Sequence, residues 1–261
     1  MVFMEYDYQD QDRNWRGSSP ASADNNGDKK IITNFLTLGY QHMFNRRWGV
    51  MGELPLASRY FKVADEDTGD IMEFTHSGLG DIRLKGIYTG FSDDMSSGLT
   101  FGLKFPTGSY NYEHFDPDIQ IGSGSTDILL GAYHLGQLAE GSAWYYFANT
   151  EADLPVIHYS GYTPGSEVDA AAGVYFSRWK IGPIKIAPLA QVVGTHRWSD
   201  SGVQALSEDT GFSRVLIAPG VEFGTSQIRV YTDIGLRIYQ YTTGNQLISS
   251  RLFKLNVSYH F

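Results

Sequence analysis

The last eleven residues, 251–261, read Arg-Leu-Phe-Lys-Leu-Asn-Val-Ser-Tyr-His-Phe. Side chains of an extended chain alternate between two faces. Phe253, Leu255, Val257, Tyr259 and Phe261 therefore share one side, and Leu252, Lys254, Asn256, Ser258 and His260 the other. The first face is apolar throughout and the second is mostly polar. A strand that crosses a bilayer needs roughly 9–11 residues, apolar side chains toward lipid and polar ones toward a lumen. In a soluble chain the same ending would need a core for its aromatic face, with the terminal carboxylate pressed against it.

The pattern recurs along the whole chain. Alternation predicts about twelve strands, joined by short turns near 45, 93, 139, 180 and 225. Six longer segments intervene, at about 10–29, 62–76, 107–125, 155–167, 197–212 and 240–249. Short turns at one end and long loops at the other are the habit of bacterial outer-membrane barrels, whose strand number is even. The expected fold is an all-β, antiparallel, up-and-down transmembrane barrel. It forms one domain over 1–261 in the bacterial outer membrane, with both termini periplasmic. Tyr40, Trp48, Tyr88, Phe91, Trp144, Trp179, Phe223, Tyr259 and Phe261 fall at the short-turn end, where an aromatic girdle belongs. Pro188 and Pro219 mark places where a bulge is expected to shift the alternation.

Composition excludes several classes. No run of about 20 apolar residues is present, so a transmembrane helix is not expected. The absence of Cys removes disulfides, thiolate catalysis, c-type haem attachment and zinc-thiolate sites. The formal charge of −9 argues against nucleic acid as a partner. The pattern calls for no cofactor and no metal. Met1 leads directly into strand-like alternation, so the sequence reads as a mature or trimmed form without a cleavable signal peptide.

Charge placement is the sharpest test of the barrel reading. Glu5, Asp7, Glu53, Asp81, Glu151, Asp153, Asp169, Glu222 and Asp233 all have inward parity. So do Arg83, Lys85, Lys104, Lys185, Arg214, Arg229, Arg237 and Lys254. An Arg or Lys facing lipid at mid-bilayer costs roughly 2–4 kcal/mol, and this separation avoids that cost. Nine acids and eight bases make a polar, near-neutral interior. Two functions fit it: a narrow water-filled pore for passive passage of small solutes, or a salt-bridged lumen in a structural barrel, since buried opposite charges normally pair. The second would suit a scaffold within an envelope complex. A soluble barrel or sandwich explains the alternation too, but not the asymmetry of the loops.

Two resemblances add to this. The ending, with Tyr259 and the final Phe261, resembles the C-terminal assembly signal of outer-membrane barrels. It implies the barrel-assembly machinery as a partner, with membrane lipid and lipopolysaccharide around the wall. The segment Gly78-Leu79-Gly80-Asp81-Ile82-Arg83-Leu84-Lys85-Gly86-Ile87-Tyr88, followed by Gly102-Leu103-Lys104-Phe105-Pro106-Thr107-Gly108, resembles the meta-pathway phenol degradation outer-membrane family. That resemblance implies transport of aromatic or other hydrophobic compounds. Under it, Trp15, Tyr110, Tyr112, Phe115, Tyr159, Tyr162, Trp198 and Phe212 in the long loops either collect an apolar ligand or pack the loops.

Two further motifs compete with transport. His196-Arg197-Trp198-Ser199-Asp200-Ser201 supplies the residue types of a lipid hydrolase, although adjacency in sequence is not triad geometry. Asp65-Glu66-Asp67-Thr68-Gly69-Asp70 partly resembles a Ca²⁺ loop, with its Gly and terminal Glu misplaced.

Overall fold

The computed structural model of the protein describes residues 1–23, 26–65, 68–159 and 161–261. Its strands are β1 (Val2–Gly17), β2 (Ser19–Pro20), β3 (Asp28–Met43), β4 (Trp48–Ala64), β5 (Ile71–Leu79), β6 (Ile82–Tyr88) and β7 (Ser97–Phe105). They continue as β8 (Ser125–Gln137), β9 (Trp144–His158), β10 (Glu167–Phe176), β11 (Trp179–Ile181), β12 (Ile184–Arg197), β13 (Phe212–Gly224) and β14 (Ile228–Tyr259). All pairings are antiparallel. Eleven of these elements form the path β10-β9-β8-β7-β6-β4-β3-β1-β14-β13-β12, and pairing of β12 with β10 closes it into a ring. Three more, β2, β5 and β11, are attached to β1, β4 and β12.

Two stretches of the ring depart from one strand per pass. β4 pairs with β6 through residues 48–53 and with β5 through residues 56–64, so β5 and β6 follow one another along a single neighbour. β14 pairs with β13 through residues 229–242 and with β1 through residues 242–259. It doubles back near Gly244, whose φ of 71° lies in the left-handed region that favours glycine. Its two limbs lie side by side: Thr232 Oγ1 donates to the Lys254 carbonyl at 2.9 Å and His260 N to the Gln227 carbonyl at 2.7 Å.

The short turns near 45, 93, 139 and 225 fall where alternation places them, whereas the one expected near 180 is corrected: Trp179–Ile181 pairs with β12 as β11 and leaves Gly182 and Pro183 as the turn. Met1 lies with them, its amino group donating to Gln41 O at 3.0 Å. Three of the long segments are corrected: most of 10–17, 28–30, 62–64, 71–76 and 240–249 is strand. The reason is physical. Sixteen residues of β1 span about 50 Å at roughly 3.3 Å per residue, against a hydrocarbon core of roughly 30 Å. The loop-side ends therefore project into water, where backbone pairing continues although the polar composition imitates a loop.

The bulge expectations are also corrected. Pro188 pairs with Val221 and Ala190 with Pro219 in unbroken register, because a proline on a barrel strand costs a ladder bond without forcing an insertion. The irregularity lies between Val215 and Leu216, opposite Ile238. It reverses the parity beyond that point, so Tyr239 and Tyr241 turn outward at 48% and 46% exposure.

The wall is inside-out relative to a soluble protein. Leu84, Phe101, Leu130, Val192, Ile234 and Leu236 project from its outer surface, while Asp81, Lys85, Asp127, Thr195 and Asp233 are buried within. At the short-turn end exposed rings form a girdle. Trp48 meets Tyr88 at 4.7 Å, Trp144 meets Phe176 at 5.2 Å, Phe176 meets Trp179 at 5.6 Å and Tyr40 meets Phe261 at 6.4 Å between centroids.

Candidate functional site

The loop between β7 and β8 is drawn inward, and Asp81 is what draws it. Its carboxylate accepts from Gly108 N at 2.9 Å, Ser123 N at 2.7 Å and Ser123 Oγ at 2.7 Å, gripping both ends of the loop at once. The middle of the loop is held by apolar burial. Phe115 and Ile119 pack with Ile31, Phe61 and Leu247 of the wall. Arg59 on β4 completes the grip, with Nη1 donating to the Ile119 carbonyl and, at 3.1 Å, to that of Gln120. Its Nε donates to Thr33 Oγ1 at 3.0 Å.

Below this loop an ion-pair network runs across β4, β6, β7, β8 and β9. Lys85 Nζ lies 3.3 Å from Glu53 and 2.7 Å from Glu151. Arg83 reaches Glu151 at 3.6 Å and Asp153 at 3.7 Å, and Lys104 pairs with Asp127 and, at 3.0 Å, with Asp153. On the other side of the ring Lys254 joins Glu5 at 3.2 Å and Asp7 at 3.5 Å. Each cation here holds two carboxylates, which offsets the desolvation that a lone pair would suffer.

Two cavities of about 830 Å³ and 600 Å³ occupy the lumen. The first extends to Met1, Gln41 and Ser258 at the short-turn end, and the second to Asn26, Asp209 and Asn245 at the loop end. They meet at residues lining both: Gln9, Phe35, Arg59, Asp118, Glu167, Arg197 and Arg214. This ring carries three guanidiniums and two carboxylates.

Of the seventeen ionisable residues with inward parity, Glu5, Asp7, Glu53, Asp81, Arg83, Lys104, Asp153, Asp169 and Arg214 line the first cavity. Lys85, Glu151 and Lys254 stand behind them as ion-pair partners. Asp233 is buried and accepts from Tyr231 and Gln191. Glu222 and Arg229 face each other at 3.8 Å near the short-turn end, Lys185 pairs in register with Gly224 there, and Arg237 lies over the Trp15 ring at 4.1 Å. Alternation missed Arg59, Asp118 and Arg197. Arg59 sits beyond the expected end of the hydrophobic run, and the other two lie at or in loops, where period 2 gives no direction. Asp127 had the right parity but was not singled out.

Asp118 gives the ring a pH dependence. It is exposed to the lumen yet crowded by protein on all sides. That crowding pushes its carboxyl up to about 6, against the pull of Arg197 and with the push of Asp116 and Asp200. A raised carboxyl is charged above that value and neutral below it. Between pH 7.5 and pH 5 the ring therefore loses negative charge. In a salt gradient the reversal potential is expected to move toward chloride over this range, and Asp118→Asn to start closer to the chloride value and to move less.

The loop aromatics mostly pack the loops. Phe115 and Tyr162 are buried, Tyr112 stacks on His76 at 4.2 Å, Tyr110 meets Tyr159 at 4.9 Å and Trp198 meets His196 at 4.3 Å. Phe212 alone of these lines the loop-end cavity. The hydrolase motif is dispersed. His196 Nδ1 bonds Ser213 Oγ at 2.8 Å, whereas Ser199 Oγ donates to the Thr210 carbonyl at 2.7 Å. Asp200 accepts from Tyr162, Gly165 N and Arg197, which ties two loops together. Glu66 and Asp67 of the acidic run lie outside the described residues; Asp65 Oδ1 accepts from Thr68 N at 2.8 Å.

No protein-family model matches the chain, and no curated protein does. Solved structures do. An outer membrane channel from Pseudomonas putida F1 superposes with a TM-score of 0.70 at 14% identity, covering 99% of this chain and 94% of that one. The β domain of the Bordetella autotransporter BrkA gives 0.58 at 11% identity, over 100% and 98%. The transport unit of the autotransporter AIDA-I from Escherichia coli gives 0.54 at 13% identity, over 100% and 90%. The chain thus has the fold of a bacterial outer-membrane β-barrel.

Proposed function

We propose that the protein is an outer-membrane channel for passive passage of small solutes, with aromatic or other hydrophobic compounds as the cargo class. One observation supports this above the rest: the two lumen cavities abut at a shared ring and together reach from the short-turn end to the loop end. Nine of the seventeen charges singled out by parity are assigned as its lining, with Lys85, Glu151 and Lys254 as the ion-pair partners behind them, and none is given a catalytic role. Counting β5 with β6 as one pass and β14 as two supports a reading of twelve passes, under which both termini of a single barrel domain are periplasmic. The cargo class follows from the resemblance to the meta-pathway phenol degradation family and from the apolar wall that Ile31, Ile119 and Leu247 give the loop-end cavity. Lipopolysaccharide and membrane lipid surround such a barrel, and Tyr259 and Phe261 are its signal to the assembly machinery.

Reconstituted into a planar bilayer, the chain is expected to conduct in discrete steps and to pass small uncharged solutes in liposome swelling. Silence in both assays would favour the structural reading, a barrel closed by its ion pairs and held in an envelope complex. The density of pairing around Lys85 and Lys104 is the observation that favours that second reading.

A further inference from the structure

Two guanidiniums of the ring, Arg59 and Arg214, make no ion pair among the described residues; Asp118 acts on the first, and Glu167 and Asp169 on the second, only from farther away. Arg59 donates to carbonyl and hydroxyl oxygens, which offset part of its charge without neutralising it. Arg214 is less satisfied: its Nε is enclosed and has no acceptor. Arg197 differs, since Asp200 pairs with it at 2.9 Å. Buried polar groups are almost always partnered, and a charged donor left without an acceptor is costly. Both unpaired side chains also stand beside aromatic rings: Arg59 over Phe35 at 5.8 Å and Arg214 over Phe212 at 5.4 Å.

We propose that Arg59 and Arg214 form a subsite for the carboxylate of a small apolar acid, whose aromatic or hydrocarbon body rests on Phe35 and Phe212. This deepens the channel reading and rests on it for its transport meaning. Several features choose that ligand. The Nη groups supply the charged donors for a carboxylate, since Nε of Arg59 is engaged with Thr33 and Nε of Arg214 is enclosed. Asp118 and Glu167 line the same ring and oppose a second negative charge, so a monoanion is accepted where a dianion is repelled. The acids Glu5, Asp7, Glu53 and Asp153 of the first cavity are already held by Lys254, Lys85, Arg83 and Lys104, so they do not compete for the two arginines. Beyond the ring the loop-end cavity offers Ile31, Ile119 and Leu247 to the apolar end of the same molecule.

Benzoate and its neutral counterpart benzyl alcohol separate the carboxylate from the ring. Titrated into the detergent-solubilised full chain by calorimetry, benzoate is expected to bind about tenfold more tightly, the worth of one good charge-assisted pair. Arg214→Gln and Arg59→Gln each abolish that preference. Arg214→Lys, which keeps the charge, retains part of it and so distinguishes loss of the site from loss of the fold. Lys180→Gln, on the β11 hairpin, binds benzoate as the unaltered chain does. Equal binding of the two compounds, a preference surviving both glutamine substitutions, or displacement of benzoate by dianionic inorganic phosphate would each overturn the subsite. Because binding is read without current, a barrel that prefers benzoate but never conducts refutes the channel and keeps the subsite. One that conducts without the preference does the reverse.

Discussion

Asp81→Ala is expected to raise single-channel conductance several-fold and to make its open level noisier. The carboxylate is the common acceptor for Gly108 and Ser123, the two ends of the inward loop. Hydrogen bonds to a charged group are worth roughly 1.5–3 kcal/mol each, so alanine removes the largest polar restraint on that loop. The Phe115 and Ile119 packing and the Arg59 contacts remain, and they keep the loop partly in place. Asp81→Asn retains one acceptor oxygen and is expected to fall between. The recording is single-channel current in a planar bilayer at fixed voltage. A conductance unchanged by Asp81→Ala would mean that the loop does not set the width of the path.

The largest expected loss of stability comes from Lys85→Met. Lys85 Nζ is shared by Glu53 and Glu151, and its side chain is only 6% exposed. Methionine leaves the two carboxylates facing one another without the cation between them. Removing one partner from a buried pair costs about 3–5 kcal/mol. The lower end, about 3 kcal/mol, is expected here, because Glu151 keeps some water and a second cation in Arg83. The double variant Lys85→Met with Glu151→Gln is expected to recover part of the loss. Urea midpoints of the barrel in lipid vesicles measure both, and identical midpoints for the single variant and the unaltered chain would mean that the network is ornamental.

Strand-level architecture was legible in the sequence because the bilayer imposes a strict rule. Leu84 must face lipid and Lys85 must not, and the alternation records that at every pass. The rule lapses where the bilayer ends. Residues 10–17 and 240–249 lie past that limit and carry mostly polar side chains, so their composition looked like loop although they pair in ladders. Parity also fails after a single inserted residue, as opposite Val215 and Leu216. The site was half legible for the same reason. Strand charges such as Glu53, Lys104 and Asp153 carry a direction in their numbering. Asp118 in the inward loop takes its position from Asp81, about 40 residues away, and from the packing of Phe115 on Phe61. No local pattern encodes those contacts.

The absence of Cys allows a direct test of the central claim, that this wall separates oil from a wet interior. Leu103 and Lys104 are adjacent on β7, the first exposed on the outside and the second ion-paired within. Spin labels placed by Leu103→Cys and, in a separate chain, Lys104→Cys can be compared in vesicles for collision with oxygen and with a water-soluble nickel chelate. Oxygen should dominate at 103 and the chelate at 104. Chelate accessibility at both positions, or oxygen preference at both, would contradict a closed cylinder spanning the membrane.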